Sequence, residues 1–195
     1  MERRKTADVI SILQNVYFKG DYTPQTHYLN ELNLLHAKQI KAVGGEQTLN
    51  DANTKREIGI SDFNGTAIPS DANGLVSAIT VEYGLDADGA ETNPALIEYS
   101  ALKSEMPAWF LNSELVLKSK SVEQFRIRVS ELTLGAESQN VPADWAKNLE
   151  RTLKVVGNQD LQLFLATPDG AALEVGENVF VRVNLYGTKF AARTI

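Results

Sequence analysis

The most concentrated set of potential metal ligands in the sequence is an acidic turn. Asp86, Asp88 and Glu91 lie close together around Gly89. Oxygen ligands at alternate positions are typical of calcium loops, but an EF-hand needs a glutamate at its twelfth position, where this sequence has Ile97. We therefore predict a solvated turn and no metal site, with weak calcium binding by these three carboxylates as the alternative.

Few residues could support nucleophilic or acid–base catalysis. The chain has two histidines, His27 and His36, and no cysteine. On a helix this spacing would place the two rings on opposite sides, and no G-x-S-x-G motif accompanies them. A glycosidase remains an alternative, because it needs only two facing carboxylates and several lie on or beside candidate strands. They are Glu82, Glu98, Glu114 and Glu174. We predict that the protein is not an enzyme, needs no cofactor and has no small-molecule substrate.

The two tryptophans, Trp109 and Trp145, raise the possibility of ligand binding through aromatic rings. Flat aromatic platforms bind sugars, but a tryptophan that opens a strand more often packs in a core or an interface. The alternative interpretation of the chain is accordingly a carbohydrate- or receptor-binding module that uses these two residues.

Composition limits the remaining function classes. The 195 residues include 19 basic and 25 acidic side chains, for a net charge of -6, which argues against a protein that mainly coats nucleic acid. Hydrophobic residues make up 43% of the chain, enough for a substantial core. No apolar run is long enough to cross a bilayer, and the basic start is not followed by a signal-peptide pattern.

The elements that would position these residues change character along the chain. We predict an N-terminal arm over residues 1–57, in which two amphipathic helices, Thr6–Phe18 and Thr26–Ala42, follow the basic cluster Arg3, Arg4 and Lys5. The spacing of Thr26–Ala42 leaves a strand open as the alternative. The apolar stripes predict partner-binding residues, namely Val9, Leu13, Val16, Tyr17, Leu29 and Leu32.

Residues 58–195 alternate between apolar and polar, as half-buried strands do. The clearest runs are Leu75–Tyr83, Phe125–Val129, Leu161–Leu165 and Val179–Leu185. We expect a β-bulge near Ser130 and one inserted short helix, Pro142–Arg151. The fold class predicted is all-β, an antiparallel eight-stranded sandwich. Shorter candidate strands are Ile58–Phe63, Ala95–Ala101, Trp109–Lys118, Leu153–Val156 and Ala172–Val175.

This plan resembles the single jelly-roll capsid and structural proteins of tailless icosahedral viruses. The resemblance is carried by a helix-bearing arm that ends near Lys55 and Arg56, by about eight strands from Ile58 onward, and by the long late strand Asn178–Thr188. It implies a capsid subunit made in the host cytoplasm and located in the virion. Its partners would be copies of itself and other virion proteins, and Arg3, Arg4 and Lys5 would contact an internal membrane or the genome.

Overall fold

The computed structural model describes residues 27–134 and 146–192. Strands account for 52% of the structure and helices for 9%. Among the described residues there are nine strands, in chain order β1 His27–Ile40, β2 Gly45–Thr48, β3 Gly74–Asp86, β4 Tyr99–Ser100, β5 Glu114–Ser119, β6 Val122–Arg128, β7 Lys147–Val155, β8 Gln162–Thr167 and β9 Asn178–Ala192. Short helical turns interrupt them at Pro94–Leu96, Lys103–Glu105, Ala108–Leu111 and Val129–Leu132.

The strands form two antiparallel sheets in a sandwich-like arrangement. The first sheet has the order β1-β9-β3, and both β4 and β7 pair with the other edge of β3, at different parts of its length. The second sheet has the order β2-β8-β5-β6. The predicted all-β antiparallel sandwich is therefore confirmed at this level.

The core lies between the inner faces of the two sheets. Alternate residues of each central strand point inward, as the sequence pattern predicted. Val181 and Val183 from β9 and Leu115 and Leu117 from β5 are at most 1% exposed. Other buried core residues on the central strands are Val76, Ile79, Val81, Leu163, Leu165 and Leu185.

The predicted helix Thr26–Ala42 is wrong, because β1 occupies His27–Ile40. This strand pairs with β9 along its whole length, from His27 opposite Ala192 to Ile40 opposite Val179. Strand β2 also lies within residues 1–57, and it pairs with β8. The sequence from His27 onward thus belongs to the sheets and not to a separate helical arm. The other predicted helix of the arm, Thr6–Phe18, lies outside the described residues.

Smaller predictions also need correction. Residues 147–151 of the predicted helix Pro142–Arg151 belong to strand β7, and residues 142–145 lie outside the described part of the chain. The change of parity near Ser130 comes from the helical turn Val129–Leu132 instead of a β-bulge. Residues 58–63 and 172–175 form turns and loops.

Candidate functional site

Several predicted site residues lie outside the part of the chain that the structure describes. They are Arg3, Arg4, Lys5, Val9, Leu13, Val16, Tyr17 and Trp145. Of the predicted partner-binding residues that it does describe, Leu32 is 2% exposed and packs in the core between the sheets. Leu29 is half-buried on β1 opposite Phe190. Leu32 is therefore a core residue, and its assignment to a partner surface is wrong.

Trp109 lies at the boundary of the core. Its ring contacts Phe110 edge-on at 5.6 Å between centroids and Tyr83 at 6.5 Å. Burial raises the pKa of Tyr83 to about 12, with a smaller effect from the nearby carboxylates Glu177 and Glu174. A half-buried ring packed against the core in this way does not favour a flat sugar platform at Trp109.

The carboxylates of the acidic turn are used to order the turn itself. Asp86 accepts a hydrogen bond from the backbone N–H of Glu91 at 2.7 Å, and Glu91 accepts from the N–H groups of Thr92 and Asn93. No three acidic or histidine side chains of the described residues are grouped so that they could hold a metal ion. The geometry favours the solvated-turn interpretation over the calcium alternative at Asp86, Asp88 and Glu91.

An open cleft with a volume of about 330 Å³ lies beside β1 and the loop that follows β2. Its floor holds the buried ring of His36, and charged side chains stand around its rim. The residues that line it are His36, Lys38, Leu49, Asp51, Asn53, Thr54, Lys55, Glu57, Ile60 and Ser61. This cleft is where catalytic chemistry would be sought first.

His36 and Ser61 form a hydrogen-bonded pair in the floor of this cleft. The ring atom Nε2 lies 2.9 Å from the carbonyl oxygen of Leu49, and Nδ1 lies 3.0 Å from the hydroxyl of Ser61. Because a carbonyl oxygen only accepts, Nε2 carries the proton, and in the neutral ring Nδ1 accepts from Ser61. Burial lowers the pKa of His36 below its usual value, and this favours the neutral ring.

The pair resembles a nucleophile with its base, but its environment favours a structural role. Ser61 is only 2% exposed, and its oxygen also accepts the backbone N–H of Phe63 at 3.1 Å. The rim carboxylate Asp51 is paired with Lys38 at 3.5 Å and not with the histidine. No buried side-chain polar atom among the described residues lacks a partner. The sequence pattern does not predict this pair, because a helix over Thr26–Ala42 would place His36 outside the β domain.

The outer face of the second sheet carries a network of exposed charges. Arg126 on β6 contacts Glu114 at 2.8 Å, Glu123 at 2.9 Å and Glu46 at 3.6 Å. Lys118 on β5 also pairs with Glu46. Since these charges largely neutralise one another and are open to solvent, they give little net attraction for an external ligand.

A more distinctive surface lies at the end of the sandwich where β3 ends and β9 begins. There, loop 86–98 touches loop 168–177 at Gly89 and Gly176. Asn178, the first residue of β9, donates from its side-chain nitrogen to the carbonyl oxygens of Gly89 at 3.0 Å and Glu91 at 2.8 Å. These loops and the end of β3 together contribute a set of residues that we name the acidic end surface. Its residues are Leu85, Asp86, Asp88, Glu91, Leu96, Glu98, Asp169, Glu174, Val175 and Glu177.

Comparisons with known proteins give no relative. No family model, no curated protein and no solved structure matches this chain. Among the described residues, no helix has the length and apolar character needed to cross a membrane.

Proposed function

We propose that the sandwich is a jelly roll and that the chain is a structural subunit that assembles with copies of itself. The observation that carries the proposal is the nesting of the strand pairs. With the two-residue strand β4 set aside, the eight remaining strands pair first with last, second with seventh, third with sixth and fourth with fifth, as β1–β9, β2–β8, β3–β7 and β5–β6.

This nesting is what a single long hairpin produces when it rolls up into two layers. Each successive pair falls in the opposite sheet, so that one sheet contains β1, β9, β3 and β7 and the other contains β2, β8, β5 and β6. Two Greek keys of this kind define a jelly roll, which occurs in viral capsid proteins and also in lectins and cupins. The strand order therefore supports the fold, and other features must support the function.

Two features favour an assembly subunit over a lectin or an enzyme. The pair in the cleft, His36 and Ser61, is buried and already hydrogen-bonded, and the ring of Trp109 is packed by its neighbours. In contrast, the acidic end surface carries exposed apolar side chains, and Leu96 is 68% exposed. Exposed apolar groups among charges are typical of surfaces that meet another protein. On this basis the proposed role is that of a capsid subunit in a virion.

The test is the assembly state of the full chain. Light scattering across a range of protein and salt concentrations, with negative-stain electron microscopy of the same samples, should give symmetric oligomers or closed particles above a threshold concentration. A monomer under every condition would overturn the proposal. A glycan array on the same preparation separates this function from the carbohydrate-binding alternative. That alternative predicts binding on the array and a change in tryptophan fluorescence when the bound glycan is titrated.

A further inference from the structure

We propose that the acidic end surface binds the N-terminal segment, residues 3–17, of a second copy of this chain. The proposal rests on the self-assembly proposed above and names the surface and the segment that would join two subunits. It draws on five features: the contact between the two loops, their charge, their exposed apolar side chains, the basic and apolar residues of the N-terminal segment, and the reach of the chain before β1.

The two loops form one continuous surface. At Gly89, an added Cβ would lie 2.3 Å from the carbonyl oxygen of Gly176, so the two backbones are in direct contact. Asn178 ties the same loops together through its two side-chain hydrogen bonds to Gly89 and Glu91. The register places this contact beside Asp86 of β3, which lies opposite Asn178 of β9. The loops can therefore present their side chains to a partner together.

The charge of this surface is one-sided. Loops 86–98 and 168–177 contain seven acidic residues and no lysine or arginine. None of these seven carboxylates forms an ion pair with a lysine or arginine of the described residues, whereas Glu46, Glu82 and Glu114 do so elsewhere on the sheets. Such a cluster attracts a basic partner and disfavours an acidic one.

Exposed apolar side chains lie on the same chain segments as these carboxylates. Val175 is fully exposed, Leu96 is 68% exposed and Leu85 is 44% exposed. All three belong to the two loops or to the strand end beside them. A partner that covered them would bury apolar area as well as pair charges, and this combination distinguishes a protein segment from a simple cation.

The N-terminal segment has the matching chemistry. Residues 1–19 contain four basic and two acidic side chains, and three of the basic ones are Arg3, Arg4 and Lys5. Behind them the spacing of the apolar residues predicts one helical stripe. Its residues are Val9, Ile12, Leu13, Val16 and Tyr17. Basic groups beside an apolar stripe complement acidic groups beside exposed Leu85, Leu96 and Val175.

Chain length favours the segment of a second copy over the segment of the same copy. Strand β1 begins at His27 opposite Ala192, and only its other end, Ile40, lies beside β9 residues near the acidic end surface. At about 3.3 Å per residue the strand places His27 about 43 Å from this end. The nine residues 18–26 separate the segment from this strand, so Tyr17 and His27 lie at most about 36 Å apart when the chain is extended. The segment of a neighbouring subunit has no such limit.

The first experiment changes the surface in the full chain and measures the concentration at which assembly begins. Glu174→Lys should raise that concentration about fivefold at low salt, and Val175→Ser about tenfold. Matched controls are Glu31→Lys and Val122→Ser, which change exposed residues far from this end and should have little effect. Lys5→Glu combined with Glu174→Lys should recover part of the loss. Circular dichroism and thermal unfolding establish that each variant is folded.

The second experiment asks which copy supplies the segment. Light and isotopically heavy full chains are mixed and treated with a carbodiimide, which joins an amine to a carboxylate in direct contact. Peptides that join a light Lys5 to a heavy Glu174 or Glu177 support the proposal. Links within one isotope only would show that each subunit binds its own segment, and would overturn it.

The outcomes separate this inference from the proposed function. If the wild-type chain assembles and Glu174→Lys and Val175→Ser assemble at the same concentration as their controls, the acidic end surface is not the docking site and self-assembly still stands. If the wild-type chain stays monomeric throughout, the proposed function fails, and the inter-subunit contact fails with it. Binding only of an unrelated basic protein at this surface would also contradict the assignment to a second copy.

Discussion

The imidazole of His36 and the hydroxyl of Ser61, 25 residues apart in sequence, are joined by a 3.0 Å hydrogen bond that fastens the long loop after β2 to strand β1. Backbone bonds flank this contact, because Ala37 donates to the carbonyl of Ile60 at 2.7 Å and Asp62 donates to that of Leu35 at 2.9 Å. The loop thereby covers part of the free edge of β1, which would otherwise expose unpaired backbone groups.

Removing this ring should destabilise the fold measurably. His36→Ala leaves a cavity beside Phe63, whose ring lies 6.0 Å from the imidazole, and leaves the carbonyl of Leu49 without its side-chain donor. Both effects together should lower the free energy of unfolding by about 3 kcal/mol, measured by urea denaturation. Lys41→Ala, at an exposed position, is the control. A loss at His36 no larger than that of the control would show that the contact is not structural.

The same histidine should make stability depend on pH. Burial lowers the pKa of His36 in the folded state, so between this value and the unfolded pKa of 6.5 the unfolded chain binds more protons. Stability is therefore full above pH 6.5 and falls as the pH drops below it. Lys38 and Asp51 are the charged groups that face the ring, with opposite effects on the pKa.

Urea denaturation at neutral pH and at about pH 5 measures this loss of stability. His36→Asn removes the titrating group, and its stability should change less over the same interval. The pKa values of Asp51 and Asp71 are lowered, by hydrogen bonds chiefly, so these carboxylates lose their contribution only at more acidic pH. If His36→Asn lost as much stability as the wild type over this interval, the pH dependence would come from groups other than His36.

The sequence predicted the central strands because most of their inward positions are apolar, as in Val179, Val181 and Val183 of β9. For β1 the sequence favours a helix and leaves the strand only as the alternative, and this has a physical reason. Its inward positions include two polar residues, His36 and Lys38, so that the alternation is broken. The structure satisfies both through backbone carbonyls at the end of β2 and directly after it, since Lys38 donates to Thr48 and His36 to Leu49. These partners are 10 and 13 residues away, beyond the reach of a periodicity argument.

The candidate surfaces show the same division between local and long-range information. The acidic turn at Asp86 was evident from the sequence, since it depends on neighbouring residues alone. The contact of this turn with the loop that holds Glu174 and Val175 was not evident from the sequence. That contact joins segments almost 90 residues apart through Asn178. The charge and apolar content of both loops could be read from the sequence, but only their contact makes them one surface.

An ion pair on the outer face of the first sheet should contribute more than its exposed counterparts. Arg182 of β9 pairs with Glu82 of β3, and its guanidinium lies 4.3 Å from the centroid of the Tyr99 ring. Because the side chain of Glu82 is only 15% exposed, Arg182→Met should lower the free energy of unfolding by about 2 kcal/mol. Arg182→Lys keeps the charge and loses the planar stacking on Tyr99, so its free energy of unfolding should lie between those of the wild type and Arg182→Met.

The matched control for that substitution is Arg126→Met. Arg126 has three carboxylate neighbours, but its side chain is 38% exposed and solvent screens each pair. Arg126→Met should therefore lower the free energy of unfolding less than Arg182→Met does, although Arg126 has more ion-pair partners. Urea denaturation of both variants compares them, and a larger loss at Arg126 would show that the number of ion pairs matters more here than their burial.

A side chain added at Gly187, where two strands approach closely, should lower the stability of the fold. At Gly187 of β9, an added Cβ would lie 1.9 Å from the carbonyl oxygen of Leu75, where the register of β3 shifts between Val76 and Ala78. Gly187→Ala must force the two backbones apart, which should cost about 3 kcal/mol of unfolding free energy. At Gly44 an added Cβ meets nothing within 4 Å, and only its φ of 95° opposes a side chain. Gly44→Ala should therefore cost about 1 kcal/mol, and equal losses in urea denaturation would contradict the close approach at the bulge.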